Sequence, residues 1–122
     1  MRPVILSTLL LSLIAMPVQA QVYPVEGKWG QSSSSQKGAI DCTGSKRVIE
    51  FSGDQRTDTN SGVPSYRNQS VRSVGSSNYR IVDEFSTGQI SAGHTSYDLR
   101  KVDADHIEVM QDGTTTRLQR CR

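Results

Sequence analysis

From Gly27 onward, apolar and polar residues alternate with a period of two, and no window repeats at the 3.6-residue spacing of an amphipathic helix. The alternation is clearest over residues 79–85, where Tyr79, Ile81, Asp83 and Phe85 share one face of an extended strand. The same pattern predicts a first strand at Gly27–Gln31 and a second over 46–52, with Ile49 and Phe51 together. It predicts further strands over 95–102 (Tyr97 with Leu99), 106–110 (Ile107 with Val109) and 114–122 (Thr116 with Leu118). Weaker extended signals lie at 39–42, 55–59, 66–71 and 89–92. Turn-forming residues punctuate these runs at Gly44, Gly53-Asp54, Asn60 to Pro64, Gly75, Asp103-Ala104-Asp105 and Asp112-Gly113. The last of these is a strong hairpin signal. Short strands joined by short turns predict an all-β chain. The expected architecture is a small antiparallel up-and-down β-barrel of about eight strands, because closure removes exposed sheet edges.

The first twenty residues break the alternation. Arg2 precedes a mostly apolar run over 4–15, Pro17 interrupts it, and Val18-Gln19-Ala20 has the small-residue pattern of a cleavage site. The expectation is a signal peptide at 1–20 and a single barrel domain at 21–122. The apolar run is shorter than the roughly 20 residues a spanning helix needs, and Ser7, Thr8 and Ser12 interrupt it. No membrane span is therefore expected after cleavage, and a periplasmic or secreted location is. The two cysteines, Cys42 and Cys121, are the only ones in the chain, and in an exported protein they predict one disulfide. Closing so long a loop contributes about 4–5 kcal/mol in the chain-entropy picture, a large share for a small domain.

Charge and candidate chemistry narrow the function by exclusion. The chain has 14 Lys and Arg against 12 Asp and Glu, a net charge of +2. This is too little for the concentrated basic face of a nucleic-acid binder. Asp103, Asp105, His106 and Glu108 have metal-ligand residue types, but they read as a charged hairpin tip, and no metal or other cofactor is expected. Asp83 and Glu84 point to opposite strand faces, so they are no acid/base pair, and the cysteines are not in a redox spacing. The serines lack a nucleophile context, and no enzymatic activity is expected. Asp83 stands out because it shares its strand face with apolar residues. If that face points inward, the carboxylate needs a partner, such as an internal Arg, or lines a polar cavity.

Gly27-Lys28-Trp29, a Gly-x-Trp at the start of the first strand, together with the run of short strands, resembles the lipocalin-like (calycin) barrels. The resemblance implies that Trp29 plugs one barrel end and that a basic residue near the last strand, Arg117 or Arg120, packs across its face. The layout is also similar to small bacterial barrels that inhibit secreted metalloproteases. The leading expectation is an exported, non-enzymatic barrel that binds a small apolar or amphipathic ligand or an extracytoplasmic protein. A ligand site would be lined by Tyr66, Tyr79, Asp83 and Tyr97. The alternative is a periplasmic protease inhibitor or envelope-interaction protein in which residues 21–26 insert into a partner's active site. A small hydrolase ranks last.

Overall fold

The computed structural model describes residues 3–4 and 22–122. The signal-peptide expectation at 1–20 and its cleavage point fall outside the described residues, apart from residues 3 and 4. Among the described residues there are eight strands: β1 (Gly27–Gln31), β2 (Val48–Ser52), β3 (Gln55–Asp58), β4 (Tyr66–Ser73), β5 (Asn78–Phe85), β6 (Gly93–Lys101), β7 (His106–Gln111) and β8 (Thr114–Arg120). Each pairs antiparallel with the next, and β1 pairs with β8 through Trp29↔Arg120, Gly30↔Gln119 and Gln31↔Leu118, so the sheet closes into a barrel. The weak signal at 55–59 is a true strand. The one at 89–92 instead lies in the β5–β6 loop, where the Thr87 N–H bonds the Ile90 carbonyl. The extended piece at 39–42 makes a single parallel bridge, Ile40↔Cys121.

Alternation decides which residues fill the barrel. Ile49, Phe51, Ile81, Leu99, Ile107, Val109 and Leu118 point inward and are almost fully buried with Trp29. The turns follow their local chemistry. Asp112 and Gly113 both have positive φ (51° and 77°), as the tight hairpin between β7 and β8 requires. A register shift between Asn68 and Ser70 accounts for the poor alternation of β4: a bulge changes which face each later residue takes.

Cys42 and Cys121 form the expected disulfide, with Cα atoms 5.5 Å apart. The β1–β8 ladder closes the sheet, and the disulfide fastens the β1–β2 connection over its outer face. Gly30 shows this directly: a Cβ there would lie 2.5 Å from Cys42 Sγ and 2.7 Å from Ser45 Oγ. Gln119, its neighbour in β8, is buried under the same connection. The Gln119 side-chain amide donates to the carbonyls of Gln36 (3.0 Å) and Gly38 (2.8 Å) and accepts from Ser32 Oγ (3.1 Å).

Candidate functional site

The barrel interior is apolar toward Trp29 and polar around Asp83. Asp83 is completely buried. Its two carboxylate oxygens accept four hydrogen bonds. Oδ1 takes Tyr23 Oη (2.9 Å) and Asn68 Nδ2 (3.2 Å), and Oδ2 takes Arg56 Nε (2.7 Å) and Tyr97 Oη (2.9 Å). Four donors match the lone-pair capacity of a carboxylate. Arg56 supplies the countercharge and also reaches Asp58 (3.4 Å), and Arg47 grips Asp58 at 2.6 Å. Two arginines thus face two aspartates. This balance is what allows four ionisable groups inside a small barrel. The Arg56 guanidinium also lies 3.9 Å from the ring centre of Tyr66 and 4.8 Å from that of Tyr97.

Strand parity builds this cluster. Arg56 and Asp58 occupy alternate, inward positions of β3, directly opposite Phe51 and Ile49 of β2. Asp83 sits at the inward position after Ile81 on β5, across from Asn68 on β4 and Thr95 on β6. The surroundings shift the titrations accordingly. Burial, reinforced by the neighbouring Asp83 charge, raises the Tyr23 phenol above its ordinary value. Burial also raises Tyr97. For Asp58, burial alone would raise the carboxyl. The Arg47 hydrogen bond, the Asn60 backbone N–H and the charges of Arg47 and Arg56 together bring it below its ordinary value.

Of the four residues expected to line a ligand cavity, the structure gathers Asp83 and Tyr97 by a direct hydrogen bond, and Tyr66 through Arg56. Tyr79 stands apart, half-buried against the core edge with Lys101 Nζ 5.7 Å from its ring centre. Arg120 lies across Trp29 at 4.5 Å, and Trp29 Nε1 donates to the Glu26 carbonyl. Arg117 instead projects outward, 76% exposed and 3.8 Å from Glu108. At the hairpin tip, His106 Nδ1 pairs with Asp103 (2.8 Å), Arg120 approaches Asp105 (3.5 Å), and Arg100 and Arg117 take Glu108. Among the described residues, no three His, Cys, Asp or Glu converge on a common point.

Tyr23, Arg56, Asp58 and Asn68 are central to the cluster, and alternation alone did not single them out. Strand β3 reads polar on both faces, so its inward charges are indistinguishable from surface ones in the sequence. Tyr23 precedes the first strand. Residues 22–26, the described part of the 21–26 segment expected to insert into a partner, lie against the barrel itself in this structure. Tyr23 is 6% exposed, bonded to Asp83 and set edge-on to Phe51 at 4.9 Å, and its N–H points to the Gly53 carbonyl at 3.4 Å. This segment serves the barrel's own core.

Outside the barrel wall, the β1–β2 connection borders a groove of about 760 Å3 lined by Gln31, Ser32, Asp41, Lys46, Thr115 and Arg117, among others. At the barrel mouth near β7–β8, a recess of about 280 Å3 reaches the interior cluster and is lined by Arg47, Arg56, Asp58, Tyr66, Val109 and Gln111, among others.

These features define a closed, eight-stranded, up-and-down antiparallel β-barrel with a disulfide-fastened loop. The architecture is one that lipocalin-like proteins share with other small barrels. The disulfide points to an oxidising, extracytoplasmic environment. Comparison of the chain with protein-family models, with curated proteins and with solved structures finds no match.

Proposed function

We propose that the chain is an exported, non-enzymatic barrel, periplasmic or secreted, that recognises an acidic surface on another extracytoplasmic protein through its β1–β2 connection. The observation that carries this reading is the filled carboxylate at the centre of the barrel. With Tyr23 seated, Asp83 accepts four internal hydrogen bonds and has no acceptor position left for a small ligand. Recognition is then a property of the surface. The connection from Ser32 to Arg47 exceeds the roughly 12–15 residues above which an irregular loop in a compact domain is usually functional. It is also held in one place by the disulfide, the Ile40↔Cys121 bridge and Gln119. A loop ordered beforehand loses little entropy on binding.

Charge sets the kind of partner. Lys37 and Lys46 on the connection, and Arg117 and Arg122 beside it, are exposed, whereas Asp41 is the exposed acid among them. This local excess of positive charge steers acidic surfaces toward the groove. The test is site-specific photo-crosslinking from Ser34 in cells of the source, with the mature chain in its own compartment. A defined crosslinked species that disappears on Lys46→Glu with Arg117→Glu supports the reading. Crosslinking indifferent to that charge reversal refutes it, as does saturable binding of 1-N-phenylnaphthylamine inside the barrel of the wild-type chain, where Tyr23 is seated.

A further inference from the structure

Among the described residues, Tyr23 is the one buried residue that no strand carries. Every other buried side chain belongs to the sheet. Tyr23 instead arrives on the short arm that precedes β1. It contacts the barrel as a ligand does: a ring set edge-on to Phe51 and a hydroxyl donating to a fully buried carboxylate sixty residues away in sequence. Beyond Tyr23, the arm is held by Val25 against the core and by the Glu26 carbonyl, which accepts from Trp29 Nε1. Val22 is 60% exposed, Pro24 and Val25 are half-buried, and Glu26 is exposed. The receiving groups need no rearrangement to accept a phenol in trans. Asp83 is oriented by Arg56, Tyr97 and Asn68, all of which come from strands. Asn68 is 8% exposed, and its Oδ1 has no hydrogen-bond partner, so the site holds an unused acceptor beside the phenol-binding carboxylate.

We propose that the barrel interior is a phenol-binding site, occupied in the resting protein by its own Tyr23 as a tethered ligand. A para-substituted phenol takes the same place when the arm withdraws. Phe51 receives the ring, Asp83 Oδ1 accepts the hydroxyl proton's hydrogen bond, and Asn68 Oδ1 is available to a second donor on the ligand. The phenol has two possible sources, a small aromatic compound or the N-terminal arm of a second copy. The chemistry recognised is the same for both. In the intact protein the tether gives Tyr23 an effective concentration in the millimolar range, so a free phenol competes weakly until the arm is displaced.

The experiment uses the full mature chain carrying Tyr23→Ala, with p-cresol, toluene and the peptide Val-Tyr-Pro-Val-Glu-Gly as probes. Saturating p-cresol is expected to raise the melting temperature of the variant by about 4–8 °C and to leave the wild-type chain nearly unchanged. Toluene, which fills the space without a hydroxyl, is expected to bind at least about tenfold more weakly, because a hydrogen bond to a buried charge is lost. A peptide that binds more tightly than p-cresol assigns the site to arm exchange between copies. Equal or weaker peptide binding assigns it to small phenols. The proposal is overturned if p-cresol does not stabilise the variant or if toluene does so equally. If Tyr23→Ala does not fold alone, refolding in p-cresol decides the matter: recovery of the buried Trp29 emission supports the site, and no recovery overturns it.

Discussion

Replacing Asp83 by Asn tests the central element of this structure with almost no change in shape. Asn is nearly isosteric with Asp, so this fully buried position loses no volume. Three things change. The charge opposite Arg56 Nε disappears, leaving Arg56 to share Asp58 with Arg47. The new amide nitrogen cannot accept, so two of the four donors around the old carboxylate lose their acceptor. The amide also adds two donors, which must compete for acceptors such as Asn68 Oδ1 and the tyrosine hydroxyl oxygens. Removing one partner of a buried ion pair costs about 3–5 kcal/mol, a large part of the roughly 5–15 kcal/mol that holds a domain of this size. With a urea m-value near about 1.5 kcal/mol/M, the midpoint falls by about 2–3 M. The chain has a single tryptophan, Trp29, 1% exposed, so its emission reports global unfolding directly. The paired replacement Arg56→Met with Asp83→Leu removes both charges and is expected to cost less than the sum of its two single changes, by about 1–3 kcal/mol. A loss below about 1 kcal/mol for Asp83→Asn, or strict additivity in the cycle, would show that Asp83 and Arg56 do not hold one another.

Four further outcomes are expected. Gly30→Ala drives a methyl group into Cys42 Sγ and Ser45 Oγ and destabilises by about 1–3 kcal/mol in the same urea titration, with the disulfide intact by thiol assay. Cys42→Ser with Cys121→Ser removes the staple and costs about 2–5 kcal/mol, read as a drop in melting temperature that reductant reproduces in the wild-type chain. Arg120→Ala removes the cation over Trp29 and costs about 0.5–2 kcal/mol, whereas Arg117→Ala, at the exposed surface, stays within about 0.5 kcal/mol. Stability also falls at both ends of the pH scale. Asp58 has its folded-state pKa below the unfolded value, so its contribution is present above about pH 4 and is lost as the solution is acidified through the folded-state value. Tyr23 and Tyr97 have folded-state values above the unfolded one near about 10. Above that pH the unfolded chain sheds protons that the folded chain keeps, and stability drops. Part of the phenolate absorbance at about 295 nm should therefore appear only together with unfolding.

What was legible in the sequence is what period-two alternation encodes. Ile81, Leu99, Ile107 and Val109 alternate with polar residues, so β5, β6 and β7 were placed nearly to the residue, and Asp112-Gly113 marked the hairpin that follows. The odd position of Asp83 on an apolar face was legible too. Its partner was not. Arg56 lies in Gln55-Arg56-Thr57-Asp58, where both faces are polar, and alternation carries no information when inside and outside use the same residue types. The β4 pattern was obscured by its bulge. Tyr23 was hidden for a different reason: its burial depends on a contact sixty residues away and on no local period. The role of Gly30 was equally invisible, because only the three-dimensional course of the β1–β2 connection brings Cys42 against it.

The interior charges bear on register as well as on energy. A one-residue slip of β3 against β2 would turn Arg56 and Asp58 outward and bring Gln55 and Thr57 in. In an all-apolar β3 such a slip would be penalised by exposed hydrophobic area. Here it is penalised by leaving Asp83 without a cation in the core, which is the costlier error per residue. The same reasoning explains why a short, wholly polar strand can sit in a closed barrel. Its pairing is specified by what Asp83 on β5 requires, across the barrel, in addition to its neighbours in the sheet. The interior network therefore acts as a register lock. The disulfide-fastened connection takes part in that lock through Arg47, its last residue, which grips Asp58.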